Sequence, residues 1–394
     1  MINKIDKRIY DIEKVLRKLR NKFDSISLKN GSLGLSLFYY YYYLYTKKDK
    51  YLNEVSYYLE KSLAYLESGK IEDFSMFDLI ELGEYVCFLH KKECIDEHDA
   101  LKIIKEIEPF ILNLLDDKIE EEDLGSLKGV LRVGNYLIDL RETFKLNNEF
   151  YLISIVKFID QLSIHKNAES IFWRFPMRNK ENPIVELGFV HGMSGIIYFL
   201  SRMVENQLEK EKCAMMIKKS TSFVLSFKQD EPNTLFPFAD VKQKRSQKSY
   251  QCLGYGDIGI GYTFLHLGKY VDKAYFKIGE GIIDNASNFR DDEGVFIKDA
   301  ELVYGASGLF VFFDKFKELS NKYEKAADYW LNRIINFNYH ESDWAGYKTY
   351  INGFDETIQL SFQHGLIGIG LALINTQLTF ESHDYLCFLN YKDL

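Results

Sequence analysis

The chain has 394 residues, 46% of them hydrophobic and 15% aromatic, with a formal net charge of −8. That balance argues against nucleic acid as a partner, which needs a clustered basic surface; runs such as Lys242-Gln243-Lys244-Arg245 read as solvated loop. Five cysteines (Cys87, Cys94, Cys213, Cys252, Cys387) without a CxxC pair argue against a disulfide scaffold, and the charged stretch from Met1 to Arg20 has no secretory apolar core, so a cytoplasmic location is expected.

Residues 1–23 place Ile2, Ile5, Ile9, Ile12, Val15, Leu16 and Leu19 at helical spacing among charges, which predicts an amphipathic N-terminal helix. After Gly31-Ser32-Leu33-Gly34 comes Leu35 to Tyr45, apolar or aromatic all round and too short to span a bilayer. Such a helix belongs inside the fold, and its tyrosine run reads as buried packing in preference to a ligand platform. Residues 51–67, 99–116, 152–164 and 208–227 each show one apolar and one charged face. Residues 85–90 are mostly apolar, whereas 195–204, 259–267, 308–316 and 368–374 are glycine-led as well as apolar, and 376–394 form a C-terminal tail.

The glycine-led segments share a motif. Gly31-Ser32-Leu33-Gly34, Gly192-Met193-Ser194-Gly195, Gly256-Asp257-Ile258-Gly259, Gly305-Ala306-Ser307-Gly308 and Gly365-Leu366-Ile367-Gly368 all read G-x-x-G before a large apolar residue. Two weaker copies fill the gaps, Leu82-Gly83-Glu84-Tyr85 and Ser126-Leu127-Lys128-Gly129-Val130, the latter read as having lost its first glycine. Roughly seven units, each long enough for a helical hairpin, predict one repeat-built domain over 1–394. Outer amphipathic helices alternating with inner apolar ones predict an all-α fold, an α/α toroid. The glycines are expected to allow close backbone approach and loop conformations that a Cβ disfavours. Helix N-termini gathered at one pole would favour an anion there, beside His191, Gly254, Tyr255, Asp257, Val303, Tyr304, Gln363 and His364.

These residues resemble the lanthionine synthetase C-like (LanC) cyclases, which close thioether rings in ribosomal peptides. Leu187-Gly188-Phe189-Val190-His191-Gly192-Met193-Ser194-Gly195-Ile196 is similar to that family's L-G-x-x-H-G-x-x-G-I signature. Tyr255-Gly256-Asp257-Ile258-Gly259-Ile260 is similar to the end of its W-C-Y-G-x-P-G-I motif, and Leu302-Val303-Tyr304-Gly305-Ala306-Ser307-Gly308-Leu309 stands where the family carries C-H-G-x-x-G, with Asp299 shortly before it. The resemblance runs from about residue 24 to 375.

It implies a zinc ion held by a cysteine of W-C-Y-G and by the Cys and His of C-H-G, and those positions fall here on Gly254, Val303 and Tyr304. The expectation is therefore a member without the usual zinc; a relocated site using Cys252 with His191 and His364 is the alternative. The reaction implied is addition of a peptide Cys thiol to a dehydrated Ser or Thr. His191 would act as acid or base, His364 as a second base, and Tyr304 as a donor to the enolate; the other readings are a loop hydrogen bond for His191 and packing for Tyr304 and His364. Tyr255, Asp257 and Asp123 are candidate substrate contacts, with Asp257 equally a helix cap and Asp123 part of a solvated acidic run. Trp173, Arg174 and Arg178 are a candidate rim for an acidic leader peptide, with a structural loop as the equal alternative. The expected partners are a precursor peptide and, as an open point, a dehydratase, with no transmembrane segment. Two other readings stay open, a non-catalytic scaffold and, last, a glycan-active toroid, for which only Asp257 is well placed.

Overall fold

The computed structural model describes residues 2–23, 25–68, 76–175, 185–190, 192–229, 234–237, 239–240, 251–292, 294, 296–339, 344–350, 356–378 and 382–392. The chain divides into two compact units, one from Met1–Tyr85 with Arg290–Lys392, the other comprising Val86–Phe289.

In the first unit three helices are buried on all sides: α2 (Ser32–Thr46), α12 (Ala306–Lys315) and α15 (Leu366–Asn375). They are neighbours, α15 touching both α2 and α12. Each is backed by an amphipathic helix: α1 (Ile2–Lys18) lies on α15, α3 (Lys50–Glu67) on α2 and α13 (Asn321–Asn336) on α12. The pairing follows from composition. A helix apolar all round loses nothing by burial on every side, whereas α1 can bury only the stripe of Ile5, Ile9, Ile12 and Leu16. Asp96 and Ser320, both extended, accept hydrogen bonds from Asp99 N and Lys322 N and start the charged helices α5 (Glu97–Glu120) and α13.

The tyrosine run of α2 is core, as the sequence suggests. Tyr39 stacks on Tyr51 and Tyr58 at 5.9 and 6.0 Å, and Tyr41 meets Tyr385 edge-on at 5.3 Å. Rings of this size each contribute a few kcal/mol through buried area. The C-terminal tail joins this core, with Tyr385, Leu386 and Phe388 buried and the Tyr385 amide donating to the Tyr41 hydroxyl.

The second unit repeats the plan. α6 (Val130–Phe144), α8 (Met193–Glu205) and α10 (Asp257–Tyr270) form a buried row, backed by α5 and α7 (Glu149–Gln161), by α9 (Lys210–Leu225) and by α11 (Ala274–Ala286). This unit also holds two short antiparallel pairs, β1 (Ile164–Asn167) with β2 (Ser170–Phe172) and β3 (Val185–Glu186) with β4 (Ala239–Asp240). Leu82-Gly83 does not begin a helix, because α4 (Met76–Lys91) already runs through it. Among the described residues no helix is long and apolar enough to cross a membrane.

Candidate functional site

The inner helices begin directly after a glycine: α2 after Gly31, α6 after Gly129, α8 after Gly192, α10 after Gly256, α12 after Gly305 and α15 after Gly365. In the third repeat it is therefore the second glycine that is lost, to Arg132, and Gly129 stands in the first position. A common contact explains the spacing. A Cβ on Gly31, Gly129, Gly192 or Gly365 would strike the carbonyl oxygen six residues upstream, that of Ser25, Asp123, Glu186 or Gln359. The next motif glycine repeats the contact one helical turn on, Gly34 against Leu28 O, Gly195 against Phe189 O and Gly368 against Phe362 O. The loop thus crosses the helix start at two points where only a hydrogen fits.

Unusual dihedrals are not the reason for most of these glycines. Gly31, Gly129, Gly192, Gly305 and Gly365 are extended, and Gly256 alone of the capping glycines has a positive φ, +87°. The loops also use some of the helix-start donors: Ser32 N, Val130 N, Ser194 N and Ala306 N donate to the carbonyls of Ser25, Asp123, Leu187 and Asp299. Fewer N–H groups are left for an anion than free helix ends would offer.

In the first unit these loops are strung together, Phe362 N donating to Lys29 O at 2.8 Å and Val303 N to Gln363 O at 3.1 Å. On this frame sits a cluster of ionisable side chains. His364 Nδ1 lies 2.6 Å from Glu301 Oε2, and the Glu301 side chain is fully buried. Glu301 Oε1 accepts from Tyr304 N at 3.0 Å, and the Tyr304 ring stacks on His364 at 5.5 Å and 11°. Asp299 Oδ1 accepts from Glu301 N and Oδ2 from Tyr350 N. Burial, and the Glu301 charge beside it, push Asp299 up to about 7. The sequence reading placed His364 and Tyr304 here but missed Glu301. The available signal was an acidic residue in the same pre-helix loop as Asp299.

In the second unit Asp257 is completely buried, its Oδ2 accepting from Leu235 N at 2.7 Å and Oδ1 from Phe236 N at 3.1 Å. Burial pushes it up to about 6. It anchors a loop and offers no face to a substrate, which corrects its assignment as a contact. Trp173 is likewise core, its indole N–H donating to Ile159 O at 2.7 Å, so it does not form a rim; Arg174 beside it is exposed. Asp123, half-buried, accepts from Gly125 N at 2.8 Å, while Tyr255 N donates to Cys252 Sγ at 3.2 Å. The motif histidine His191, and Arg178, lie outside the described residues.

The residues at the three positions where the resemblance puts zinc ligands do not fit that ion. Gly254 has no side chain, Val303 is apolar and buried, and Tyr304 offers a neutral phenol where a thiolate or imidazole is required. Among the described residues no three His, Cys, Asp or Glu side chains are grouped to hold a metal.

The family model for lanthionine synthetase C-like proteins matches residues 22–386. Among solved structures the chain is similar to nisin cyclase, with a TM-score of 0.72 and 17% identity over 97% of this chain and 98% of that one. The likeness shows a shared all-α fold, of the α/α toroid class expected from the sequence. Among curated proteins no sequence matches. With its glycine-led helices and a model match over nearly its whole length, the chain belongs to the lanthionine synthetase C-like family.

Proposed function

We propose that the protein promotes lanthionine-type ring closure in a dehydrated ribosomal peptide without a zinc ion, its own side chains moving the protons. The observation that carries this reading is the His364–Glu301 pair under the Tyr304 ring, at the helix start where the family keeps two zinc ligands. An imidazole against a buried carboxylate is a general base with an orienting partner. The peptide thiol gives its proton to His364, the sulfur adds to the β-carbon of dehydroalanine or dehydrobutyrine, and the double-bond electrons move to the enolate. Tyr304 donates a hydrogen bond to the enolate oxygen, and the imidazolium returns the proton to the α-carbon. No atom is gained or lost overall, so no oxidant or co-reactant is needed.

His191, matched to the family motif, is the second proposed acid–base group. Arg174 and Arg178 are proposed contacts for an acidic leader, and Tyr255 and Asp123 remain proposed substrate contacts. The dehydrated residue has to come from a dehydratase, the partner this reading calls for. Incubating the protein with a dehydrated Cys-containing precursor and counting alkylatable thiols by mass spectrometry tests the reading. The expected result is loss of thiols with the parent protein and thiols retained with H364A; retention with the parent refutes catalysis. That second outcome belongs to the alternative favoured by Gly254, Val303 and Tyr304, a scaffold that holds peptide without reacting it.

A further inference from the structure

We infer that Glu301 is a positioning residue that fixes the tautomer of His364, holding the proton on Nδ1 and leaving Nε2 as the nitrogen that exchanges protons with substrate. The argument rests on a carboxylate with both oxygens committed. Oε1 accepts the Tyr304 backbone N–H at 3.0 Å, and an N–H can only donate, so this oxygen is fixed as an acceptor. Oε2 stands 2.6 Å from His364 Nδ1, and a carboxylate oxygen is an acceptor, which assigns the hydrogen between them to Nδ1. The carboxylate cannot turn away: it is fully buried, and the chain on either side is held by Asp299 Oδ1 on Glu301 N and by Gln363 O on Val303 N.

The imidazole is held as firmly. Its backbone N–H donates to Ser361 Oγ at 3.1 Å and its ring lies nearly parallel to that of Tyr304. Among the described residues Nε2 has no hydrogen-bond partner, and the side chain is 16% exposed. The nitrogen turned away from Glu301 is thus both unprotonated and reachable, which a base requires.

The same geometry assigns an opposite outcome to the amide variant. In Glu301→Gln the Tyr304 N–H still demands an acceptor, so the amide oxygen takes the Oε1 place and the NH₂ faces Nδ1. That group donates, Nδ1 must then accept, and the proton moves to Nε2. One near-isosteric change inverts the outer nitrogen from acceptor to donor with the packing unchanged.

The test is ¹⁵N NMR of the imidazole nitrogens in full-length protein, at a pH where His364 is neutral, with its signal assigned by its loss in H364A. The parent is expected to show the Nδ1–H tautomer and E301Q the Nε2–H tautomer. An Nε2–H tautomer in the parent, or the same tautomer in both proteins, overturns the inference; if E301Q does not fold, the parent spectrum decides alone. The catalytic consequence rests on the proposed reaction and is read separately. E301Q should lower ring closure roughly 100-fold or more, and should add no loss in an H364A background. No turnover by the parent would remove the proposed reaction and leave the tautomer result standing, so the two failures are distinct.

Discussion

Gly195→Ala puts the glycine-contact account to a quantitative test. A methyl at Gly195 would collide with the carbonyl oxygen of Phe189 and stand 2.6 Å from Ser126 Oγ. The serine can rotate away, but the carbonyl belongs to a loop pinned at its other end, where Leu187 O takes the Ser194 hydroxyl at 2.7 Å and the Ser194 amide at 3.3 Å. Helix and loop must separate by about 1 Å in a close-packed region, an overpacking that costs about 1–3 kcal/mol. Alanine's better helix propensity returns about 1 kcal/mol, leaving a net loss of roughly 0–2 kcal/mol. Gly281 in α11 provides the control: a Cβ there meets nothing within 4 Å, so Gly281→Ala should gain about 0.5–1 kcal/mol. Urea unfolding of both variants beside the parent reads the two signs. A Gly195→Ala protein that gains as much stability as Gly281→Ala would refute the steric account.

Three further outcomes follow from the same geometry. Burial pushes Asp257 up to about 6, so the folded chain holds this proton more tightly than the unfolded chain; the residue's contribution is full below its ordinary range near 4 and is lost as pH rises through 6, by about 3 kcal/mol. D257N cannot ionise and should gain stability relative to the parent between pH 4 and 7 in denaturation curves; a constant difference contradicts this. Tyr304→Phe keeps the ring stacked on His364 and removes the hydroxyl, so ring closure should slow by roughly 100-fold with the fold intact by circular dichroism, and an unchanged rate takes the hydroxyl out of the reaction. Elemental analysis of purified protein should find no stoichiometric zinc, and one zinc per chain would overturn the reading of Gly254, Val303 and Tyr304.

The architecture was legible because two periodicities coincide: a helical apolar pattern and a glycine pair one turn apart. The second records a physical constraint, a carbonyl lying where a Cβ would be, and so it marks each inner helix start to the residue. Where the pair is incomplete the register blurs. Arg132 in place of the second glycine made the third repeat appear to lack its first, and Gly83 suggested a start in mid-helix. The candidate site was less legible because its side chains are paired across repeats. Glu301 and His364 lie in different loops, and nothing in either segment announces a hydrogen bond between them. Trp173 and Asp257 misled for the opposite reason: an aromatic beside arginines and a carboxylate beside a glycine suggest ligand contacts, yet burial gives them backbone partners instead.

Ring closure on a dehydrated, Cys-containing precursor by protein stripped of metal with chelator tests the central claim most directly. The account predicts that thiols disappear at the same rate before and after stripping and persist when His364 is replaced by alanine. Closure that stops on stripping and returns with added zinc, or that continues unchanged in H364A, would contradict it.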